Sequence, residues 1–247
     1  MKLVQISDTY IDEPGTLVYA HFDTTRPLEA TVRVINAMDP GPDLVLHTGD
    51  IASHGSGTRY EAFKTITDEL TAPLALIPGN HDDRDALRSV FGDTRALPTT
   101  DDFLQFVLED HAVRIVCCDS VIAGDTPGEM CAKLLARLDA CLGDAPARPT
   151  IVALHHPPFY SGMTGSSAKG LRNGGEELDA VLRRHSQVVR VLAGHVLRPV
   201  TATFGGTIAF AGPTTCYPIG DWSPPMALLK AGVKMLDGFV HRFPRSS

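Results

Sequence analysis

Residues 44–50 read Leu44-Val-Leu-His-Thr-Gly-Asp50, a short apolar run that stops on a glycine and a carboxylate. A run of this length, bounded by a turn, predicts a buried strand over Leu44–His47 with Gly49-Asp50 on the loop beyond its carboxyl end. The same arrangement recurs on either side. Leu3–Ile6 reads as a first strand followed by Asp8, and Leu74–Ile77 as a third followed by Gly79-Asn80-His81-Asp82. Between them, Pro27 opens a helix whose apolar residues Leu28, Val32, Ile35 and Met38 recur at helical spacing, and Tyr60, Phe63, Ile66 and Leu70 mark a second. Strand–helix–strand–helix–strand is the pattern of a parallel sheet with crossover helices.

Further along, Phe103–Leu108 and Ala112–Cys118 are β-type runs joined through Glu109-Asp110-His111, which predicts a hairpin. A helix is expected over Glu129–Leu142, a strand over Thr150–Leu154, and a helix over Glu176–Arg184. Strands are expected over Val188–Leu192, Val200–Phe204 and Thr207–Phe210. The glycine-rich Ser161–Gly175 reads as a substrate loop. It is not a phosphate-binding P-loop, which needs a Lys-Ser/Thr pair opening a helix. From Pro224 on there are apolar stretches without a clear period. With no linker, composition break or repeat, residues 1–247 are expected to form a single domain.

The chain has 247 residues, 43% of them hydrophobic and 21% charged, so it belongs with ordinary globular proteins rather than disordered ones. The longest apolar stretches, Thr150–Leu154 and Val188–Ala193, fall far short of the roughly 20 residues a membrane span needs. The start, Met-Lys-Leu-Val-Gln-Ile-Ser-Asp, lacks a signal-peptide core, and a cytoplasmic protein is expected. Five cysteines without a CxxC pair argue for reduced thiols. A net charge of −7 without a basic cluster argues against a nucleic-acid polymer as partner. A small anionic substrate would then need positive charge from elsewhere, and a metal ion is the natural source.

Ligands of parallel sheets gather beyond the carboxyl ends of strands. There this sequence places Asp8, Asp50, Asn80-His81-Asp82, His155-His156-Pro157 and His195. A lone aspartate in such a place is ordinarily a turn residue or helix cap. Five strand ends in register point instead to a metal site. Carboxylate, amide oxygen and imidazole together suit Mn, Fe, Zn or Co.

Asp8 in Ser-Asp-Thr, Gly49-Asp50, Gly79-Asn80-His81-Asp82, His155-His156-Pro and Gly194-His195 resemble, in that order, the blocks of the calcineurin-like metallophosphoesterases. Ile77-Pro-Gly-Asn-His-Asp-Asp83 and Ala153-Leu-His-His-Pro-Pro158 are most similar to their class III cyclic-nucleotide and glycerophosphodiester phosphodiesterases. The resemblance spans about residues 1–215. It implies a four-layer α/β/β/α sandwich and two metals that clamp the phosphoryl oxygens, about 3.5–4 Å apart. It implies a metal-dependent phosphodiester hydrolase in which metal-bound water attacks phosphorus, and a homodimer or larger homo-oligomer. By the same resemblance Asp50 bridges the metals, while Asn80, His155 and His195 hold one of them with Asp50. His81 faces the substrate, donating to a phosphoryl oxygen or assisting the leaving group, so His81, Asp50 and Asn80 carry the chemistry.

Two positions depart from the family pattern. Asp-x-His reads Asp8-Thr-Tyr10, and Gly-His-x-His ends on Leu197. Both missing histidines belong to the other metal position, which keeps Asp8 and Asp50. One tight ion per chain is therefore expected, with the second site weak. Tyr10 either fills the space an imidazole leaves or binds a metal as phenolate, as in the related purple acid phosphatases. His156 either orients its turn or is itself a ligand, and His21 and His54 are candidates to line the pocket. His111 is expected to face solvent. A hydrolase for bulkier phosphotriesters, phosphonates or arylesters, or a catalytically weakened binding protein on the same fold, is the alternative reading.

Overall fold

A computed structural model describes residues 1–92, 94–98, 102–162, 170–216 and 240–242. The chain begins β1 (Lys2–Ile6), α1 (Thr25–Asn36), β2 (Leu44–His47), α2 (Gly57–Thr67), β3 (Leu74–Leu76) and α3 (Arg84–Phe91). The hairpin strands β4 (Phe106–Leu108) and β5 (Arg114–Cys117) follow, then β6 (Gly128–Glu129), α4 (Ala132–Gly143) and β7 (Thr150–Ala153). The last elements are β8 (Leu171–Asn173), α5 (Gly175–Arg184), β9 (Val188–Ala193), β10 (Val200–Phe204), β11 (Thr207–Ala211) and β12 (Val240–Arg242).

Two sheets carry the fold. The first has the order β12-β1-β2-β3, parallel except for β12. The second has the order β10-β11-β9-β7-β5-β4, with a parallel centre and antiparallel strands β10 and β4 at its edges. Side chains of a strand alternate between faces, and the burial follows that alternation. Ile115, Cys117, Ile151, Ala153, Leu192 and Phe210 turn inward onto the core of the first sheet. Their neighbours Val116, Cys118, Val152, Leu154, Val191 and Ala209 face Leu134 and Leu138 of α4 and Leu178 and Leu182 of α5. On the far side of the first sheet, Leu28, Val32 and Ile35 of α1, Tyr60 and Phe63 of α2, and Leu87 and Phe91 of α3 close the core. The result is the α/β/β/α sandwich.

Several local expectations change. α1 begins at Thr25, two residues before Pro27, because Asp23 Oδ1 accepts from the amides of Thr25 and Arg26. Pro27 still falls in the first turn, where no intrahelical bond from its nitrogen is needed. α2 ends at Thr67, leaving Leu70 in the following turn. The expected helix over Glu129–Leu142 starts instead at Ala132. The amide of Glu129 bonds to Ser120 O and that of Met130 to Asn173 O, which draws Gly128–Glu129 into β6 beside β8. The sequence reading had no counterpart for α3, a helix capped by Asp83 through a 2.8 Å bond from the Ala86 amide. Of the Ser161–Gly175 loop, Leu171–Asn173 is strand and 163–169 lie outside the described residues. The segment from Pro224 is described only at 240–242, where β12 pairs with β1. Among the described residues no helix is long and apolar enough to cross a membrane.

Candidate metal centre

The loops after β1, β2, β3, β7 and β9 meet at one edge of the sandwich. Asp8 N bonds to Gly49 O at 2.9 Å and Tyr10 N to Asp50 O at 3.1 Å, so the first two loops run side by side. Glycine is required where they touch: a Cβ on Gly79 would collide with Asp50, and one on Gly194 with Ser7 Oγ and Thr48 O. Asp8, Tyr10, Asp50, His195 and Leu197 all have φ between 46° and 70°, a left-handed backbone that side chains other than glycine rarely adopt. Strain of this kind concentrates at functional sites, where the surrounding structure enforces it.

Asp8, Asp50, His155 and His195 are buried, and Asn80 is half-buried. His155 Nδ1 donates to Thr48 O at 2.7 Å, which fixes the tautomer and points the Nε2 lone pair the other way. Nε2 then lies 3.2 Å from Asn80 Oδ1 and 3.4 Å from Asp50 Oδ1. Three acceptors facing one another favour a cation between them. Burial opposes charge on His155, yet Asp50 and Asp8 push its pKa up to about 9. Burial raises the Asp8 carboxyl to about 7, helped by the charge of Asp50, while the imidazoles around Asp50 hold that carboxyl well below the usual range against its own burial. Candidate ligand atoms of Asp8, Asp50 and His155 lie within 4.8 Å of one another, and the His195 ring is 5.1 Å from that of His155. The donor set fits a first-row ion on the side of Asn80, His155 and His195.

The other side is different. The Tyr10 hydroxyl donates to Asp50 Oδ2 at 2.8 Å and lies 3.5 Å from Asp8 Oδ1. Its ring packs with Val18, Leu197 and Cys216 in a small buried cluster of its own. A phenol placed to donate to a carboxylate and packed in an apolar cluster fits the space-filling reading of Tyr10, with a hydrogen bond added. Sequence reasoning missed Cys216, whose Sγ bonds to Asp8 O at 3.1 Å.

His156 uses both nitrogens on protein groups, Ser120 Oγ at 2.8 Å and Thr126 O at 3.0 Å, although its ring is 4.9 Å from that of His195. It fastens the loop after β5 to the end of β7. His81 donates its amide to Asp50 Oδ1 at 2.9 Å and pairs Nδ1 with Ser53 O at 2.8 Å. His54 is exposed, with its ring 6.1 Å from that of His81. His21 is exposed and turns onto Phe22, which does not bring it to the cluster. His111 is half-buried rather than solvent-facing, because it lines a cavity of about 210 Å³ with Leu44, Leu74 and Arg95 at another part of the molecule.

Two further groups support the site, one read only as the end of a strand and the other only as part of the strand-end cluster. His47 is fully buried, accepts from the Gly49 amide at 3.2 Å and contacts Thr9 Oγ1 at 3.0 Å, tying together the segments that carry Asp8 and Asp50. Its signal was a histidine closing an otherwise apolar strand. Asp82 accepts from the amides of Ile51, Ala52 and Gly79 and from Tyr60 OH, joining the loops after β2 and β3.

The calcineurin-like phosphoesterase family model matches residues 1–199. The chain belongs to this family. Among its curated relatives, a probable glycerophosphodiester phosphodiesterase of Arcobacter nitrofigilis is 32% identical over 219 residues, covering 89% of this chain and 80% of the relative. The 3',5'-cyclic adenosine monophosphate phosphodiesterase of Escherichia coli K12 is 30% identical over 216 residues, covering 87% and 76%. A solved dimetal phosphatase from Danio rerio has the same fold, with a TM-score of 0.70 at 16% identity over 87% of this metallophosphoesterase and 88% of that chain.

Proposed function

We propose that this metallophosphoesterase hydrolyses phosphodiesters of the glycerophosphodiester or cyclic-nucleotide type, using one firmly held Mn, Fe, Zn or Co ion bound by Asp50, Asn80, His155 and His195. The observation that carries the reading is the convergence of His155 Nε2, Asn80 Oδ1 and Asp50 Oδ1 at the carboxyl end of the sheets. The names of the Arcobacter and Escherichia coli relatives support the substrate class.

A bound ion at this place supplies Lewis acidity toward a phosphoryl oxygen and lowers the pKa of water. The chain supplies the geometry. Thr48 O keeps the His155 lone pair on the ion side, and the His81 amide orients Asp50 Oδ1 toward the same place. Ser53 O holds His81 Nδ1, which leaves Nε2 as the nitrogen that meets the phosphoryl oxygen or the leaving group. On the other side Tyr10 and Leu197 replace two imidazoles with a phenol and an alkyl group, which supports one tight ion rather than two. The buried Tyr10, Val18, Leu197 and Cys216 favour a second reading, in which a site stripped of charge accepts bulkier, less charged esters.

The test is hydrolysis of a chromogenic bis-aryl phosphodiester with added Mn²⁺ or Zn²⁺, ranked against a monoester and a triester. Metal-dependent diester turnover that His195→Ala abolishes is expected. No turnover with any metal, or turnover indifferent to His195→Ala, contradicts the proposal. A triester turned over faster than the diester would favour the second reading.

A further inference from the structure

A phosphodiester is an anion, and two arginines in the first turns of α2 and α3 have other partners. Arg59 pairs with Asp12 at 2.7 Å, and Arg84 grips Asp119 at 2.6 and 2.8 Å. Two imidazoles outside the proposed ligand set stand at the same edge. His54 lies on the loop after β2 and His81 on the loop after β3, with ring centroids 6.1 Å apart and planes at 74°. Among the described residues His54 makes no hydrogen bond or ion pair, and its ring is exposed.

The pair is held in place from below. Ser53, the neighbour of His54, gives its carbonyl to His81 Nδ1 at 2.8 Å. Gly55, on the other side, lies against the backbone of Asp83 so closely that a side chain there would collide with it. Asp82 binds the amides of Ile51 and Ala52, and Tyr60 OH donates to Asp82 while accepting the Asp83 amide at 2.9 Å. The two loops form one rigid unit, and the unit presents His54 next to His81.

We propose that His54 is a substrate-binding residue. Standing beside His81 at the same edge, it supplies an N–H donor to a non-bridging oxygen of the phosphoester anion, in a site where Tyr10 and Leu197 stand in place of two imidazoles. The inference rests on the phosphodiesterase reading of this site, and it adds a residue that the metal-ligand pattern does not include.

The experiment titrates manganese-loaded protein with inorganic phosphate and measures KM and kcat for the bis-aryl phosphodiester. His54→Ala should weaken phosphate binding and raise KM about tenfold, the scale of one hydrogen bond to a charged group, with a smaller change in kcat. His54→Lys, which restores a cationic donor, should stay within about threefold of the parent on that scale. Metal content should be the same in all three proteins. Unchanged phosphate affinity and KM in His54→Ala would overturn the inference, and so would equal losses in His54→Ala and His54→Lys. Phosphate binding that depends on His54 in a protein without diester turnover would sustain the inference and overturn the functional reading instead.

Discussion

The Tyr10 hydroxyl donates a 2.8 Å hydrogen bond to Oδ2 of Asp50, while Oδ1 of the same carboxylate faces His155 Nε2 at 3.4 Å. The two oxygens are thereby divided between a proton donor and an ion-binding cluster. Replacing Tyr10 with Phe removes that donor from a buried charged oxygen, and a destabilisation of about 1–3 kcal/mol is expected in urea unfolding of the metal-free protein. With the phenol committed as a donor to Asp50, iron-loaded protein should show no tyrosinate charge-transfer band. A visible band that Tyr10→Phe abolishes would contradict the assignment.

Restoring both imidazoles should rebuild the other metal position. Tyr10→His with Leu197→His adds two strong ligands to Asp8 and Asp50, reaching the three or four that catalytic sites use. Metal stoichiometry should rise toward two and diesterase activity should increase. Either single reversion should do much less. A single reversion as effective as the pair would show that the two positions do not serve one ion.

The folding pattern was legible wherever apolar periodicity decided it. The strands ending at Asp8, Asp50, Asn80, His155 and His195 all lie where their residue types placed them, because a buried parallel strand must be apolar and must stop at its loop. α3 escaped because Arg84, Asp85, Arg88 and Ser89 leave a thin apolar stripe, and its start depends on the Asp83 cap. The start of α4 moved because strand pairing at Gly128–Glu129 is a tertiary event. At the site, residue types revealed the cluster, but partners three-dimensionally close and distant in sequence did not show. The bonds of His156 to Ser120 and Thr126, of Tyr10 to Asp50, and of Cys216 to Asp8 O span 30 to 208 residues.

The three histidines near one another should separate into two classes. His155→Ala or His195→Ala removes an imidazole from the proposed ion site, and either should strip the firmly held metal on dialysis and abolish diester turnover. His156→Ala should keep the metal and lose stability, by about 1–3 kcal/mol for the polar groups it leaves unpaired. Elemental analysis and thermal unfolding of the three variants read both effects. Metal loss in His156→Ala with retention in His155→Ala would reverse the assignment.

His47 gives the fold a sensitivity to acid. Burial first, and then the charge of His155, lower its pKa from 6.5 to about 3, so the native state refuses a proton that the unfolded chain accepts. Its contribution to stability is fully present above about pH 6.5 and is lost as the pH falls toward about 3. His47→Gln, which can still accept from Gly49 and donate to Thr9, should show a shallower loss of unfolding free energy over that window. An unchanged slope would show that His47 does not titrate on unfolding.

The most direct measurement is the number of tightly bound metal ions per chain, determined by elemental analysis after manganese loading and gel filtration, on protein whose diesterase activity is assayed in parallel. One ion per chain, with turnover, is the predicted result. Two tightly bound ions in the unmodified, active protein would contradict it, because Tyr10, Val18, Leu197 and Cys216 would then not close the other position.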